Sequence, residues 1–375
     1  MTRNESPYQR RTAELQARLA AKEFRLQDIP GYREGQQPDP EVFQKLDHQV
    51  FAEQIWGRSV KANGIGKLRE VALTAITEHE MNPMYKDDPG MFHQWAVPYE
   101  SLDIEEMKDQ SARYQEVLEQ HGVEAHRVEF PDPPVSPFGP MIYMWATREL
   151  LIINGGSIIP RMGWSPFSVG RAEYLALWAF QNLSVPPLLT IAGTGVCEAG
   201  PCFWLAEDVF VGALSAAFNQ EGLDQLYPAV VRSTGLPAEQ VHLLTIKSPS
   251  PYYTDPGSGA SAHPDMVLGP LDVKKVVAYP GGIDYGTWMW LVEHGYEIIE
   301  VERDEQIQFA PANVTLLEPG LVIMIAEAKK AVAAVRAAGI EVIDIPYGEF
   351  LKAGGGLHCS TMEVWREQGP FMADR

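Results

Sequence analysis

Residues 314–345 read VTLLEPGLVIMIAEAKKAVAAVRAAGIEVIDI. The apolar run Val314–Ile325 predicts strand structure, and Lys329–Ala338 sets Val332, Val335 and Ala338 at three- and four-residue steps, the spacing of an amphipathic helix. Gly339 stands where a helix closes in the left-handed conformation, and Ile340–Ile345 returns as a further strand. A strand–helix–strand unit this short cannot bury its own apolar face, so it needs neighbours of its own kind.

The neighbours are upstream. Leu68–Ile76 leads to a helix at Ile104–Gln120, then Gly122 and Val123–Val128. Glu149–Pro160 leads to Arg171–Gln181 and Pro187–Ile191. Asp208–Leu214 leads to Leu223–Ser233, Gly235 and Val241–Ile246, and Lys274–Tyr279 leads to Tyr285–His294, Gly295 and Tyr296–Val301. Five such units predict a closed five-bladed α/β ring, a single domain over residues 67–375 with its site on the axis. The alternative, a doubly wound open sheet, calls for a phosphate-binding glycine turn after its first strand. Asn63-Gly64-Ile65-Gly66 comes before that strand. Residues 1–66 read as a helical N-terminal extension, with a helical pattern at Gln9–Ala21 and a Gly/Pro/Gln-rich link at Pro30–Pro40.

Composition narrows the function. The 375 residues are 45% hydrophobic and 21% charged, enough for a sizeable core, and the formal net charge is −20. That charge argues against nucleic acid or an anionic membrane as partner and favours a small cationic substrate. Three cysteines, Cys197, Cys202 and Cys359, are too few and odd in number for a disulfide framework. The opening MTRNESPYQRRTAELQ has no apolar targeting core and no stretch approaches a membrane span, so the cytoplasm is the expected compartment.

Equivalent units bring equivalent corners to one central pit, and the corners are polar. Trp145-Ala-Thr-Arg148-Glu149 precedes the strand of unit two, and Cys197-Glu198-Ala-Gly-Pro201 that of unit three. Ala262-His263-Pro264-Asp265 precedes that of unit four, and Gly354-Gly355-Gly356-Leu357-His358-Cys359-Ser360-Thr361 follows unit five. In this order the motifs resemble the guanidino-group-modifying (pentein) superfamily, over roughly Lys67 to Arg366. Pro166…Arg171-x-Glu173 and Asn313…Pro319-Gly320 also resemble segments of its hydrolytic members. The resemblance implies a five-bladed α/β propeller and an enzyme that cleaves a C–N bond of a guanidino compound, with no metal and no cofactor, expected as a homodimer.

The chemistry suits these residue types. A guanidinium is flat, permanently charged and carries its donors in a fork that carboxylates grip bidentately. Glu198, Asp265 and Glu149 are the candidate grips. Cys359 is the expected nucleophile, forming a covalent amidino-thioether, and its thiol needs a nearby cation to ionise at neutral pH. His263 is the expected acid and base, protonating the leaving amine and then deprotonating the incoming water or amine. Trp145 is expected as an aromatic wall of the pit, and Gly356 and His358 as supports near the substrate. Arg148 is grouped with them, though its charge suits an internal ion pair. Two positions depart from the family pattern: Glu149 where many members have Asp, and Pro201 where hydrolytic members often have Asp. Cys197 and Cys202 read as small buried residues flanking the Glu198 turn. Hydrolysis is the leading reaction. Amidino transfer to an amine is the alternative, supported by the tail Thr361-Met-Glu-Val-Trp-Arg366, similar to the ending of amidinotransferases.

Overall fold

A computed structural model of the chain describes residues 7–23, 25–47, 49, 53, 55–76, 101–129, 135–136, 139–140, 148–163, 170–248 and 262–374. The chain begins with helices α1 (Pro7–Ala20) and α2 (Pro40–Lys45), then strand β1 (Leu68–Thr74), helix α3 (Ile104–Gln120) and β2 (Glu124–Val128). A short pair, β3 (Val135–Ser136) and β4 (Gly139–Pro140), precedes β5 (Leu151–Ile153), β6 (Gly156–Ile159), α4 (Arg171–Leu183) and β7 (Pro187–Thr190). Next come β8 (Phe203–Ala206), β9 (Val209–Leu214), α5 (Gln220–Thr234) and β10 (His242–Lys247). They are followed by β11 (Leu268–Asp272), β12 (Lys275–Ala278), α6 (Tyr285–Glu293) and β13 (Glu297–Glu300). The last group is α7 (Arg303–Phe309), β14 (Thr315–Glu318), β15 (Leu321–Ile325), α8 (Lys329–Ala337), β16 (Glu341–Ile345), α9 (Gly348–Ala353) and β17 (Thr361–Arg366).

Four three-stranded sheets share one plan: β5-β6-β7, β8-β9-β10, β11-β12-β13 and β14-β15-β16. In each, the first two strands are antiparallel, and the second runs parallel to the third after a helical crossover. A fifth sheet, β17-β1-β2, repeats the plan but takes its first strand from the end of the chain. That pairing closes the ring of five blades expected from the repeat. Each middle strand carries a side chain with no exposed surface: Val71, Ile158, Phe210, Val277 and Ile323. Burying such a side chain stabilises by about 1.5–3 kcal/mol.

The sequence pattern misses the first strand of each blade as a separate element. The reason is the tightness of the turns. Asn154-Gly155, Glu207-Asp208, Val273-Lys274 and Pro319-Gly320 each reverse the chain in two residues inside an apolar run. Gly155, Lys274 and Gly320 take the positive φ such turns demand, at 95°, 53° and 87°. The helix-ending glycines behave as expected, with φ of 78° at Gly122, 68° at Gly235, 75° at Gly295 and 82° at Gly339.

Two contacts lock the closure. Tyr114 of α3 joins the Thr315 and Thr361 hydroxyls, at 2.7 and 2.6 Å, tying β14 to β17. Arg366 donates to the Gly66 and Leu316 carbonyls at 2.7 and 2.8 Å. The N-terminal segment lies against blades one and two: Arg10 pairs with Glu124 at 3.2 Å, Trp56 packs edge-on to Phe180, and Asn154 accepts from the Ala62 and Asn63 amides. Among the described residues no helix is long and apolar enough to cross a membrane.

Beyond β17 the chain straps back over the β8–β9 turn. Gly369 N–H donates to Glu207 Oε1 at 2.6 Å, Glu207 N–H to the Pro370 carbonyl at 3.1 Å, and Met372 N–H to Asp208 at 2.8 Å. Burial pushes the Glu207 carboxyl up to about 7, against the Gly369 hydrogen bond and the charge of Arg366, while Asp208 adds to the rise. An acid whose folded pKa lies above its unfolded value destabilises the fold once it ionises, so the penalty is absent at acid pH and full above about 7. Glu207→Gln, which keeps the acceptor for Gly369, should therefore raise stability above pH 7 by on the order of 1 kcal/mol and leave it unchanged near pH 4. Urea midpoints at both pH values check this, and an equal shift at both would sink it.

Candidate active site

The candidate residues lie just before the first strands of their blades. Cys359 precedes β17, Glu149 precedes β5, Glu198 precedes β8, and His263 and Asp265 precede β11. Asn313 precedes β14 and completes the set.

Blades one, four and five meet around the thiol. Cys359 is partly exposed, and its Sγ lies 3.5 Å from Asp265 Oδ2 and 3.6 Å from Met266 Sδ. Asn313 Nδ2 stands 3.2 Å from the same sulfur and donates to Asp265 Oδ2 at 2.9 Å. His358 Nδ1 bonds Asp265 Oδ2 at 2.8 Å, and the His358 backbone N–H donates to Asn313 Oδ1 at 2.9 Å. Asp265 Oδ1 is buried and has no hydrogen-bond partner among the described residues. A buried carboxylate oxygen left in this way is costly unless a ligand donates to it.

Blade three contributes the second pair. Glu198 is fully buried, accepts from the Gly163 N–H at 3.0 Å through Oε1, and accepts from His263 Nε2 at 2.9 Å through Oε2. Burial opposes a charged His263, but the hydrogen bond and charge of Glu198, with the charge of Asp265, more than offset it and leave the ring's pKa raised. His358 moves the other way: burial and Arg148 lower it against the pull of Asp265. A neutral His358 donating from Nδ1 to an ionised Asp265 fits both partners. Burial alone would raise Asp265, yet the His358 hydrogen bond and nearby cations hold it below its ordinary value. The Cys359 thiol is pushed up, first by burial and then by the Asp265 charge, so at rest the sulfur keeps its proton.

The remaining candidates lie deeper in the fold. Glu149 is buried and ion-paired with Arg171. Arg148 donates to the Thr361 and Cys202 carbonyls at 3.3 and 2.9 Å and lies 3.6 Å from Glu363. It braces the floor beneath the thiol loop, where its backbone N–H donates to the Cys359 carbonyl at 3.2 Å. Gly356 is needed for packing: a Cβ there would stand 2.3 Å from Asn313 Oδ1. The segment Thr361–Arg366, taken as a sign of transfer chemistry, is the closing strand β17. Trp145 lies outside the described residues. Cys197 and Cys202 are buried beside the Glu198 turn, and burial raises both thiols. Among the described residues no group of three or more His, Cys, Asp or Glu side chains is arranged to hold a metal ion.

Asn313 is the residue the sequence reading left without a role. Its signal was its place, at the corner of unit five that matches His263-Pro-Asp265 in unit four.

Comparison with known proteins follows the same line. The family model for arginine deiminase matches residues 261–366, the stretch that holds His263, Asp265, Asn313 and Cys359. The chain is 37% identical over 363 residues to a 2-nitroimidazole nitrohydrolase from Mycobacterium sp. strain JS330, covering 94% of each protein. Its fold superposes on SxtG, an amidinotransferase from Microseira wollei, with TM-score 0.62 and 18% identity over 82% of this chain and 97% of that one. It also superposes on the dimethylarginine dimethylaminohydrolase of Pseudomonas aeruginosa, with TM-score 0.58 and 17% identity over 80% of this chain and 100% of the other. Full-length identity to a curated relative, together with the shared five-bladed fold, establishes that the chain belongs to the pentein superfamily of enzymes.

Proposed function

We propose that this enzyme hydrolyses a C–N bond at a planar carbon bonded to three nitrogens, through covalent attack by Cys359. The observation that carries the reading is the thiol held against Asp265, whose second oxygen is buried with no partner among the described residues, beside the Glu198–His263 pair. The central carbon of a guanidine and C2 of a 2-nitroimidazole are the same kind of centre: flat, electron-poor and flanked by nitrogens. Support for water over an amine as second nucleophile comes from the relative that matches along 94% of the chain and is named a hydrolase.

In this mechanism a substrate N–H donates to Asp265 Oδ1 and sets the plane of the reacting carbon. The bond offsets the carboxylate charge that held the proton on sulfur, so Cys359 releases its proton to solvent as the substrate binds. The sulfur bonds to carbon, and the leaving nitrogen departs with the electron pair of the broken C–N bond. An amine takes a proton from His263 as it goes, whereas nitrite leaves as a stable anion. His263, neutral after protonating the amine or, on the nitrite route, after releasing its proton to solvent, then takes a proton from water. The water oxygen bonds to carbon, the C–S bond breaks, and the thiolate returns.

The test is a panel of 2-nitroimidazole, arginine, agmatine and methylated arginines, with and without an amine acceptor. Nitrite, ammonia and methylamines are assayed, with intact mass of quenched protein. Hydrolysis gives product without an acceptor and a mass adduct on Cys359. Turnover that strictly requires an acceptor would assign transfer instead.

A further inference from the structure

We infer that Asn313 is a positioning residue for the nucleophile, its side-chain N–H holding the Cys359 thiolate and the Asp265 carboxylate in register. This rests on the reading of Cys359 as nucleophile, but it is measured without any substrate. The orientation of the amide is fixed by its other end. Asn313 Oδ1 accepts from the His358 backbone N–H at 2.9 Å, a group that can only donate, so Nδ2 must face the sulfur. The amide nitrogen carries two hydrogens. One goes to Asp265 Oδ2 at 2.9 Å, leaving the other for Cys359 Sγ at 3.2 Å, Met266 Sδ at 3.1 Å or the Asp265 carbonyl at 3.3 Å. A thioether is a weak acceptor, whereas an ionised thiolate is a charged one and takes the stronger bond.

The surroundings are built for this approach. Asn313 is almost fully buried, and its Oδ1 would lie 2.3 Å from any Cβ at position 356, so glycine there is what lets the amide reach the thiol loop. Asn313 thus joins the corner of blade five to those of blades four and one. It is also an uncharged donor between a carboxylate and a sulfur that repel each other once both are ionised.

The experiment is the pH dependence of Cys359 alkylation by iodoacetamide, followed by peptide mass in the absence of substrate. Cys197 and Cys202 are buried and serve as internal unreactive controls. Asn313→Ala removes the donor, and Asn313→Asp replaces it with an isosteric acceptor that keeps the bond to the His358 amide. At each pH the alkylation rate, which follows the thiolate fraction, should fall in the order wild type, Asn313→Ala, Asn313→Asp, by about 10- to 100-fold for loss of a hydrogen bond to a charged group. Gly356→Ala, which displaces the same amide without changing it, should slow alkylation as well. Thermal melts identify any variant that fails to fold, and the order is then read from the others. Equal alkylation rates across the pH range in the folded variants and wild type would overturn the inference, whatever their turnover. Loss of nucleophile function would instead show in the Cys359→Ser variant.

Discussion

Cys359→Ser should lower kcat by about 10⁴-fold or more, the scale expected when the nucleophile of a covalent mechanism is lost. A serine oxygen nearly fills the space of the sulfur, and the loop is held by the Arg148 N–H to the Cys359 carbonyl and by Asn313 to the His358 amide, so the fold should survive. The chemistry should not. A hydroxyl ionises far less readily than a thiol, and this one would sit where the Asp265 carboxylate already opposes a second negative charge. Binding should outlast turnover, because Asp265 Oδ1 stays in place to accept a substrate N–H. The measurement is steady-state kinetics on whichever panel substrate is turned over, with intact mass after rapid quenching. Wild type should carry an adduct and the serine variant none. Turnover within tenfold of wild type would remove Cys359 from the mechanism.

The ring was legible in the sequence because the repeat has a period that physics imposes. A strand, an amphipathic helix and a left-handed glycine must follow one another for a blade to pack, and Lys329–Gly339 or Gln220–Gly235 display that order openly. The first strands of blades two to five were not legible as separate elements, because two-residue turns such as Val273-Lys274 leave no polar gap in an apolar run. Corner residues could be read once units were equated, which brought out Glu198, His263, Asp265 and Cys359. Partner choice among buried charges could not. Glu149 and Arg171 are separated in sequence by a hairpin and stretches without pattern, and only folding pairs them. Asn313 was hidden for a related reason: an amide before a strand is commonly a turn residue, and its approach to Cys359 depends on the backbone room left by Gly356.

Glu198→Gln should separate the two classes of leaving group by their response to pH. In the native site His263 is held protonated beyond its ordinary pKa, because the Glu198 bond and charge outweigh burial. With a neutral amide in place of Glu198, burial is opposed only by the weaker influence of Asp265, and the pKa of the ring falls. A step that needs imidazolium works below that pKa and fails above it. For amine-releasing substrates the alkaline limb of kcat should therefore move to lower pH, with rates at pH 8 falling by about 10²-fold or more, the usual worth of a positioned general acid. Nitrite needs no proton to depart, so a nitro substrate depends on His263 only as the neutral base toward water. That form is favoured by the substitution, and the acid limb for nitrite release should extend to lower pH. His263→Asn, which removes both roles, should slow both classes. Profiles from pH 5.5 to 9.5 with one substrate of each class decide the matter, and limbs that stay fixed in Glu198→Gln for both classes would end the assignment of His263 as the proton carrier.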